Sequence, residues 1–470
     1  MASQHNLTAL LAAFALGLTP TLAAAESLNE ALAHAYVTNP TLKAQRAALR
    51  ATDEGVPRAK SGYRPTIQAT GDTGVQRDNV ELSAAAGGVG SVFADGKTRP
   101  TGYAFTLNQP VFRGLRTLNA VREAEANVRA GRETLRTVEQ ATLLDGVTAY
   151  MDVVRDQAIV RLRENNVKVL AEQLKATKDR FEVGEVTKTD VAQAEARLSG
   201  AKSDLSLARS NLQTSRAAYE RVIGHPPSNV SDPPPIESLL PRSLDSALSI
   251  GDSENPTIAS ALFIEEAARY AVKQVKGELL PEVSFEAQYQ RRYETSQSVE
   301  SREESRYVGR VTVPLYQAGE VAARVRQAHQ TVAQRKREID EARVQTQADV
   351  VAGWGRLVAA RAQIQSDQAQ VRANTIALNG VREEEKVGQR TVLDVLDAEQ
   401  ELLDSQVDLV TSKRDKVVAE YTLLQAVGRL DSLNLNLSVA RYDPTEHYRK
   451  VKHKFFGLRP GGGGGEYRKR

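Results

Sequence analysis

Hydrophobic residues recur along residues 190–223 in alternating steps of three and four. The positions are Val191, Ala194, Leu198, Ala201, Leu205, Ala208, Leu212, Ser215, Tyr219 and Val222. This spacing keeps one narrow stripe on a single helix face for more than four heptads, with Ser215 as its polar member. Val395, Ala398, Leu402, Ser405 and Leu409 start the same pattern again, less cleanly further on. The small residues in both stripes permit close helix approach. Residues 111–225 and 315–443 contain no proline, so nothing in the covalent chain interrupts a helix there. The stretch from Gly114 to Phe181 alone predicts a helix about 100 Å long. A fibrous coiled coil and a tube wall of packed helices both satisfy that pattern.

Between the helical stretches the period changes to two. After Pro281, Val283, Phe285, Ala287 and Tyr289 alternate with Glu282, Ser284, Glu286 and Gln288. Tyr307, Gly309, Val311 and Val313 alternate toward Pro314, and Tyr103, Phe105 and Leu107 toward Pro110. Ile67, Ala69 and Gly71 follow Pro65 more weakly. Strands of about ten residues, apolar on one face and polar on the other, suit an outer-membrane sheet. Soluble hairpins are the plainer alternative. Two hairpins, over residues 65–112 and 281–316, supply too few strands to close a barrel, and an open edge cannot sit in lipid. Insertion therefore demands several copies. Two copies give a barrel filled by side chains, and three give one wide enough for a lumen.

The chain repeats itself. Ser27-Leu28-Asn29-Glu30-Ala31-Leu32 returns 216 residues later as Ser243-Leu244-Asp245-Ser246-Ala247-Leu248, as do Asn39-Pro40 and Pro65. Pro110-Val111-Phe112, Val183-Gly184 and Gly224 return 204 residues later. The difference falls on residues around Ala84–Gly90, which predict a longer loop in the first copy. An internal repeat is read before any fold is assigned. The resulting plan is a first repeat over 26–225, a proline-rich linker over 226–242 and a second repeat over 243–440. A basic tail follows over 441–470, with nine basic and three acidic residues. It is expected to be disordered and solubilising, with contact to a partner or an anionic surface as the alternative.

At the N-terminus an apolar run, Leu7–Leu18, precedes Ala23-Ala24-Ala25. Residues 1–25 thus resemble a signal peptide cleaved before Glu26, although the n-region lacks Lys and Arg. No later segment has enough consecutive apolar residues for a spanning helix. The net charge is only +3, from 62 basic and 59 acidic residues, and does not point to nucleic acid. There is no cysteine, so thiol chemistry and disulfides are excluded. The six histidines are scattered and form no metal-ligand pair. No phosphate-binding or nucleophile motif is present. No catalytic, cofactor or metal site is expected.

Two matched segments remain: Val183-Gly-Glu-Val-Thr-Lys-Thr-Asp190 and Val387-Gly-Gln-Arg-Thr-Val-Leu-Asp394. Gly184 and Gly388 suit a left-handed helix end. Thr187 with Asp190, and Thr391 with Asp394, have capping-box spacing. Each segment, 182–190 and 386–394, therefore reads as the tip of a helical hairpin. Capping does not explain Arg390 or Asp397, whose counterparts in the first repeat are Val186 and Gln193.

With these tips, the Asn-Pro pairs and the strand-ending prolines, the chain resembles the TolC family of outer-membrane channel-tunnels over about residues 26–440. The resemblance implies an α+β membrane protein: a homotrimer whose twelve-stranded outer-membrane β-barrel, four strands from each chain, continues into a long periplasmic α-helical barrel. It implies an exit duct for type I protein secretion or multidrug efflux, reached through a periplasmic adaptor and an inner-membrane ABC or RND pump. Asp394 and Asp397 would form carboxylate rings at the periplasmic aperture. Arg390 would pair with Thr189 and Asp190 of a neighbour and hold the aperture shut. Gly184, Thr187, Gly388 and Thr391 would shape the tips where an adaptor docks. Where some members have an aromatic that takes part in closure, this chain has Glu385. Crowded aspartates would titrate at or above their ordinary value of about 3.9. A periplasmic adaptor is the alternative reading, although adaptors usually carry one hairpin flanked by β-domains.

Overall fold

The computed structural model describes residues 26–81, 93–296 and 299–459. The expected leader over 1–25 and the expected loop around Ala84–Gly90 fall outside these residues. Short helices α1 (Leu28–Thr38), α2 (Pro40–Asp53) and α3 (Gly55–Lys60) lead into strands β1 (Thr66–Thr73), β2 (Gln76–Glu81), β3 (Phe93–Thr98) and β4 (Thr101–Arg113). Helices α4 (Arg116–Glu182) and α5 (Lys188–Ile223) follow. The second half runs α6 (Leu244–Glu254), α7 (Pro256–Lys276), β5 (Glu282–Ser296), β6 (Val299–Thr312), α8 (Glu320–Lys386) and α9 (Val392–Ala426). Both α4 and α8 have 67 residues, which at about 1.5 Å per residue gives rods about 100 Å long.

The Asn-Pro pairs explain how the short helices hold the long ones. Pro40 and Pro256 sit in the first turn, where no N–H is needed. Asn39 and Asn255 accept from the N–H groups of Thr41 and Thr257 at 2.9 and 2.8 Å. Their side-chain amides then donate to Val222 and Ala426 at the ends of α5 and α9, at 3.1 and 3.0 Å. One core forms here around Leu28, Leu32, Leu143, Val147, Tyr150, Tyr219 and Ile223. The linker is strapped across it. The Glu26 N–H donates to the Asn229 carbonyl at 2.8 Å, and the Tyr150 hydroxyl donates to the Ser231 carbonyl at 2.7 Å.

The heptad stripe of α5 is buried at Ala194, Leu198, Ala201, Leu205, Ala208, Leu212, Tyr219 and Val222. Its polar member, Ser215, donates to the Asp156 carboxylate of α4. The stripe expected on α9 is corrected. Val395 and Ser405 are buried, but Ala398, Leu402 and Leu409 are only half-buried, and Val392, Leu396 and Leu403 take their places. This helix serves two neighbours, α8 along its length and the first hairpin both near the tip, at Val392 and Leu396, and toward its C-terminal end, at Arg414, Tyr421 and Leu424, so its buried face is wider than one seam.

The strands form one antiparallel sheet in the order β1-β4-β5-β6, with β2 and β3 as a separate two-stranded ribbon. The first hairpin thus breaks into two tiers. The break falls at Gly74 and Pro100, where the Gly74 N–H donates to the Pro100 carbonyl at 3.0 Å. Register aligns Ile67, Leu107, Ala287 and Tyr307 in one row across the sheet. The next row toward the other face aligns Gln68, Thr106, Gln288 and Arg306. On that polar face Arg306 donates to Glu286 and Gln288 at 3.2 and 3.1 Å. On the apolar face Ile67, Phe105, Tyr307 and Val311 are exposed. The outer edges of β1 and β6 have no strand beside them among the described residues.

The expectation of a disordered tail over 441–470 is corrected as far as Arg459. Helix α10 (Glu446–Val451) docks on α2, with Val451 fully buried. The Tyr442 N–H donates to the Tyr36 hydroxyl at 3.1 Å, and His447 Nδ1 lies 3.0 Å from the buried Asp53 carboxylate. Tyr442, His447, Tyr448 and Val451 punctuate the basic run and give it a face to bury. Residues 460–470, including the glycine run, lie outside the described residues.

Candidate functional site at the helical hairpin tips

Each hairpin turns on a glycine with positive φ, +82° at Gly184 and +77° at Gly388. Side chains with a Cβ rarely adopt that conformation. The hydrogen bonds are those of a Schellman end. The Gly184 N–H donates to the Phe181 carbonyl and the Glu185 N–H to the Arg180 carbonyl, both at 3.0 Å. Gly388 and Gln389 repeat this toward Glu385 and Glu384, both at 2.9 Å. The returning helices open on full capping boxes. The Thr187 N–H donates to Asp190 at 2.8 Å and the Asp190 N–H to the Thr187 hydroxyl at 3.3 Å. Thr391 and Asp394 do the same at 2.9 and 3.2 Å.

This geometry fixes the electrostatics. The Thr391 backbone N–H, then its hydroxyl, then the Arg390 guanidinium hold the Asp394 carboxyl below its ordinary range. Within one chain the cap binds the ionised form. Within the chain Arg390 pairs with Glu384 at 3.0 Å. Asp397 pairs with Arg197 of the first hairpin. Thr189 and Asp190 lie in the first turn of α5, and Asp190 is taken up by its own cap.

The structure adds residues that the sequence reading missed. Arg180, in the last turn of α4, reaches across to Glu385 in the last turn of α8 and also to Glu185 at 3.3 Å. The Glu385 side chain is largely buried. Arg180–Glu385 and Arg197–Asp397 therefore tie the two hairpins together within one chain. Beneath them Leu170, Leu198 and Ala201 of the first hairpin pack on Val392 and Leu396 of the second. Arg382 adds a 2.8 Å pair to Glu399 inside the second hairpin. A signal existed in the sequence: Arg180 and Arg197 align, 204 residues on, with Glu384 and Glu401, so the repeat inverts charge at both positions. Glu385, which stands where an aromatic was expected, joins the hairpins by an ion pair instead.

Among the described residues no group of three or more His, Asp or Glu is placed to hold a metal ion, and no helix is long and apolar enough to cross a membrane.

A family model for the outer membrane efflux protein matches residues 31–225 and 249–429. The chain belongs to this family. It is 38% identical over 449 residues to outer membrane efflux protein BepC of Brucella suis, covering 94% of each chain. It is 26% identical over 345 residues to alkaline protease secretion protein AprF of Pseudomonas aeruginosa, covering 72% of this chain and 71% of the relative. Among solved structures, the Campylobacter jejuni CmeC outer membrane channel superposes with a TM-score of 0.72 at 17% identity, covering 91% of this chain and 89% of that one. The protein is thus an outer-membrane efflux channel with an α+β fold, as the resemblance implied, and the adaptor reading is set aside.

Proposed function

We propose that three copies of this chain form the exit duct. One observation carries the reading. The four-stranded sheet has two open edges and an exposed apolar face. Lipid tolerates neither edge, so the sheet must be completed by other copies. Three copies supply twelve strands, whose polar face, with Arg306, Glu286 and Gln288, lines a lumen. The helices α4, α5, α8 and α9 then hang as a tube below the barrel, with the tips as its far end.

At that end Asp394 and Asp397 ring the aperture as carboxylates that favour cations. Arg390 of one copy faces Thr189 and Asp190 of the next. Within each copy Arg180–Glu385 and Arg197–Asp397 hold the second hairpin against the first. An adaptor docks on the tips shaped by Gly184, Thr187, Gly388 and Thr391, and an inner-membrane ABC or RND pump loads the duct. The relatives support a cargo of secreted protein, of small efflux substrates, or both. Residues 1–25 serve as the export signal.

Native mass spectrometry of the detergent-extracted protein tests the assembly. A trimer is expected; a monomer or dimer overturns the reading.

A further inference from the structure

The C-terminal segment climbs from the helical region to the foot of the sheet. His447 sits on Asp53, the Lys60 ammonium donates to the Lys452 carbonyl at 3.2 Å, and the Arg64 guanidinium lies 4.4 Å from the centre of the Phe455 ring. Arg64 is two residues before β1. The segment therefore ends beside one open edge of the sheet. It ends apolar: Phe455 and Phe456 stack edge to face at 4.7 Å, Phe456 is 84% exposed, and Leu458 is fully exposed.

The other open edge has its own uncovered apolar pair. Just past the end of β6, Leu315 and Tyr316 are 93% and 88% exposed. The sheet is antiparallel throughout, so β1 runs away from the helices and β6 returns toward them. When copies close into a ring, β1 of one lies beside β6 of the next. Their helix-side ends, Thr66 and Thr312, then meet at one level about 4.8 Å apart. Leu315 and Tyr316 of that copy arrive where Phe455–Leu458 waits.

We infer that Phe455, Phe456 and Leu458 form an intersubunit clasp at the foot of the barrel, occupied by Leu315 and Tyr316 of the neighbouring copy. The inference rests on the trimer reading and extends it. It gives the C-terminal segment a function that the strands alone do not supply. The strands close the ring by backbone hydrogen bonds, and the clasp adds a side-chain lock on the helix side of the seam. The basic residues Lys452, Lys454 and Arg459 would also suit anionic lipid headgroups, but the matched apolar pair on the opposite edge favours a second copy.

The natural chain has no cysteine, so introduced thiols report without background. Phe456→Cys with Tyr316→Cys is oxidised in isolated outer membranes, and native mass spectrometry confirms assembly independently. Disulfide-linked dimers and trimers are expected from the double variant and not from either single variant. If the protein is trimeric but the pair stays reduced, the clasp is overturned and the trimer stands. Labelling of the Phe456→Cys variant in that trimer by a bilayer-confined thiol reagent also overturns it, in favour of lipid. If the protein is monomeric, the trimer reading falls and the clasp falls with it.

Discussion

Asp394 and Asp397 differ in what holds them. Asp394 is committed to the cap of α9, and Asp397 to Arg197 across the hairpins. Asparagine at both positions keeps an oxygen for the Thr391 N–H and removes the charge. We expect Asp394→Asn with Asp397→Asn to reduce cation selectivity and trivalent-cation block in planar bilayers, with unchanged helix content. Unaltered reversal potentials would reject the carboxylate rings. Arg197→Ala separates the second role of Asp397, since it should enlarge conductance while selectivity persists. The Asp394 pKa is lowered, so its stabilising cap is present above the ordinary value of about 3.9 and is lost only as pH falls through the lower folded value. Arg180–Glu385 is open to a charge-swap test. A partly exposed pair contributes about 0.5 kcal/mol, and in the proposed trimer three of them would bias an open–closed equilibrium by roughly tenfold. Arg180→Glu should raise single-channel conductance, and adding Glu385→Arg should restore it. Equal conductance in all three proteins would show that the pair latches nothing.

At the scale of elements, periodicity was legible where one seam governs packing and blurred where a helix serves two. The α5 stripe reads straight from the sequence because only α4 covers it along most of its length. The α9 stripe does not, because Val392, Leu396, Tyr421 and Leu424 pack on the first hairpin while other positions of the helix face α8. The tips were legible because glycine and capping chemistry act locally. Arg180 and Arg197 were missed because their partners lie about 200 residues away in sequence, and only the inverted charges of the repeat hinted at them. The tail misled because its composition is basic, while docking depends on four spaced side chains. Truncating His447 leaves the buried Asp53 without its neighbour, a local loss of about 1–3 kcal/mol. His447→Ala should therefore free α10, and trypsin should cut faster at Lys450 and Lys452. Wild-type cleavage rates would mean that docking relies on Val451 and Tyr448 alone.

Across the whole molecule, buried acids set an opposite pH trend to the caps. Burial raises the carboxyls of Glu139, Glu420, Asp53 and Glu123 above their ordinary values. A raised folded pKa gives stability that is complete below the unfolded value and is lost as pH rises through the folded value. Glu139 accepts from the Ser432 N–H at 2.9 Å, and glutamine keeps that acceptor. Glu139→Gln should match wild type in thermal unfolding below about pH 4.5 and exceed it increasingly above. A difference independent of pH would show that proton binding at this site does not matter.

The equal lengths of α4 and α8, and the near-equal 36 and 35 residues of α5 and α9, make the chain a ruler. Removing one heptad from a helix shortens it by about 10 Å without turning its seam. Made in all four helices together, such a cut would bring both tips to a new common depth, and the duct could serve a thinner envelope. Made in one hairpin alone, it would leave, in the proposed trimer, three short tips beside three long ones. Insertions and deletions in these helices are thus best tolerated as matched sets, and a heptad is the step that changes the span from the proposed barrel to the tips while keeping each seam in place.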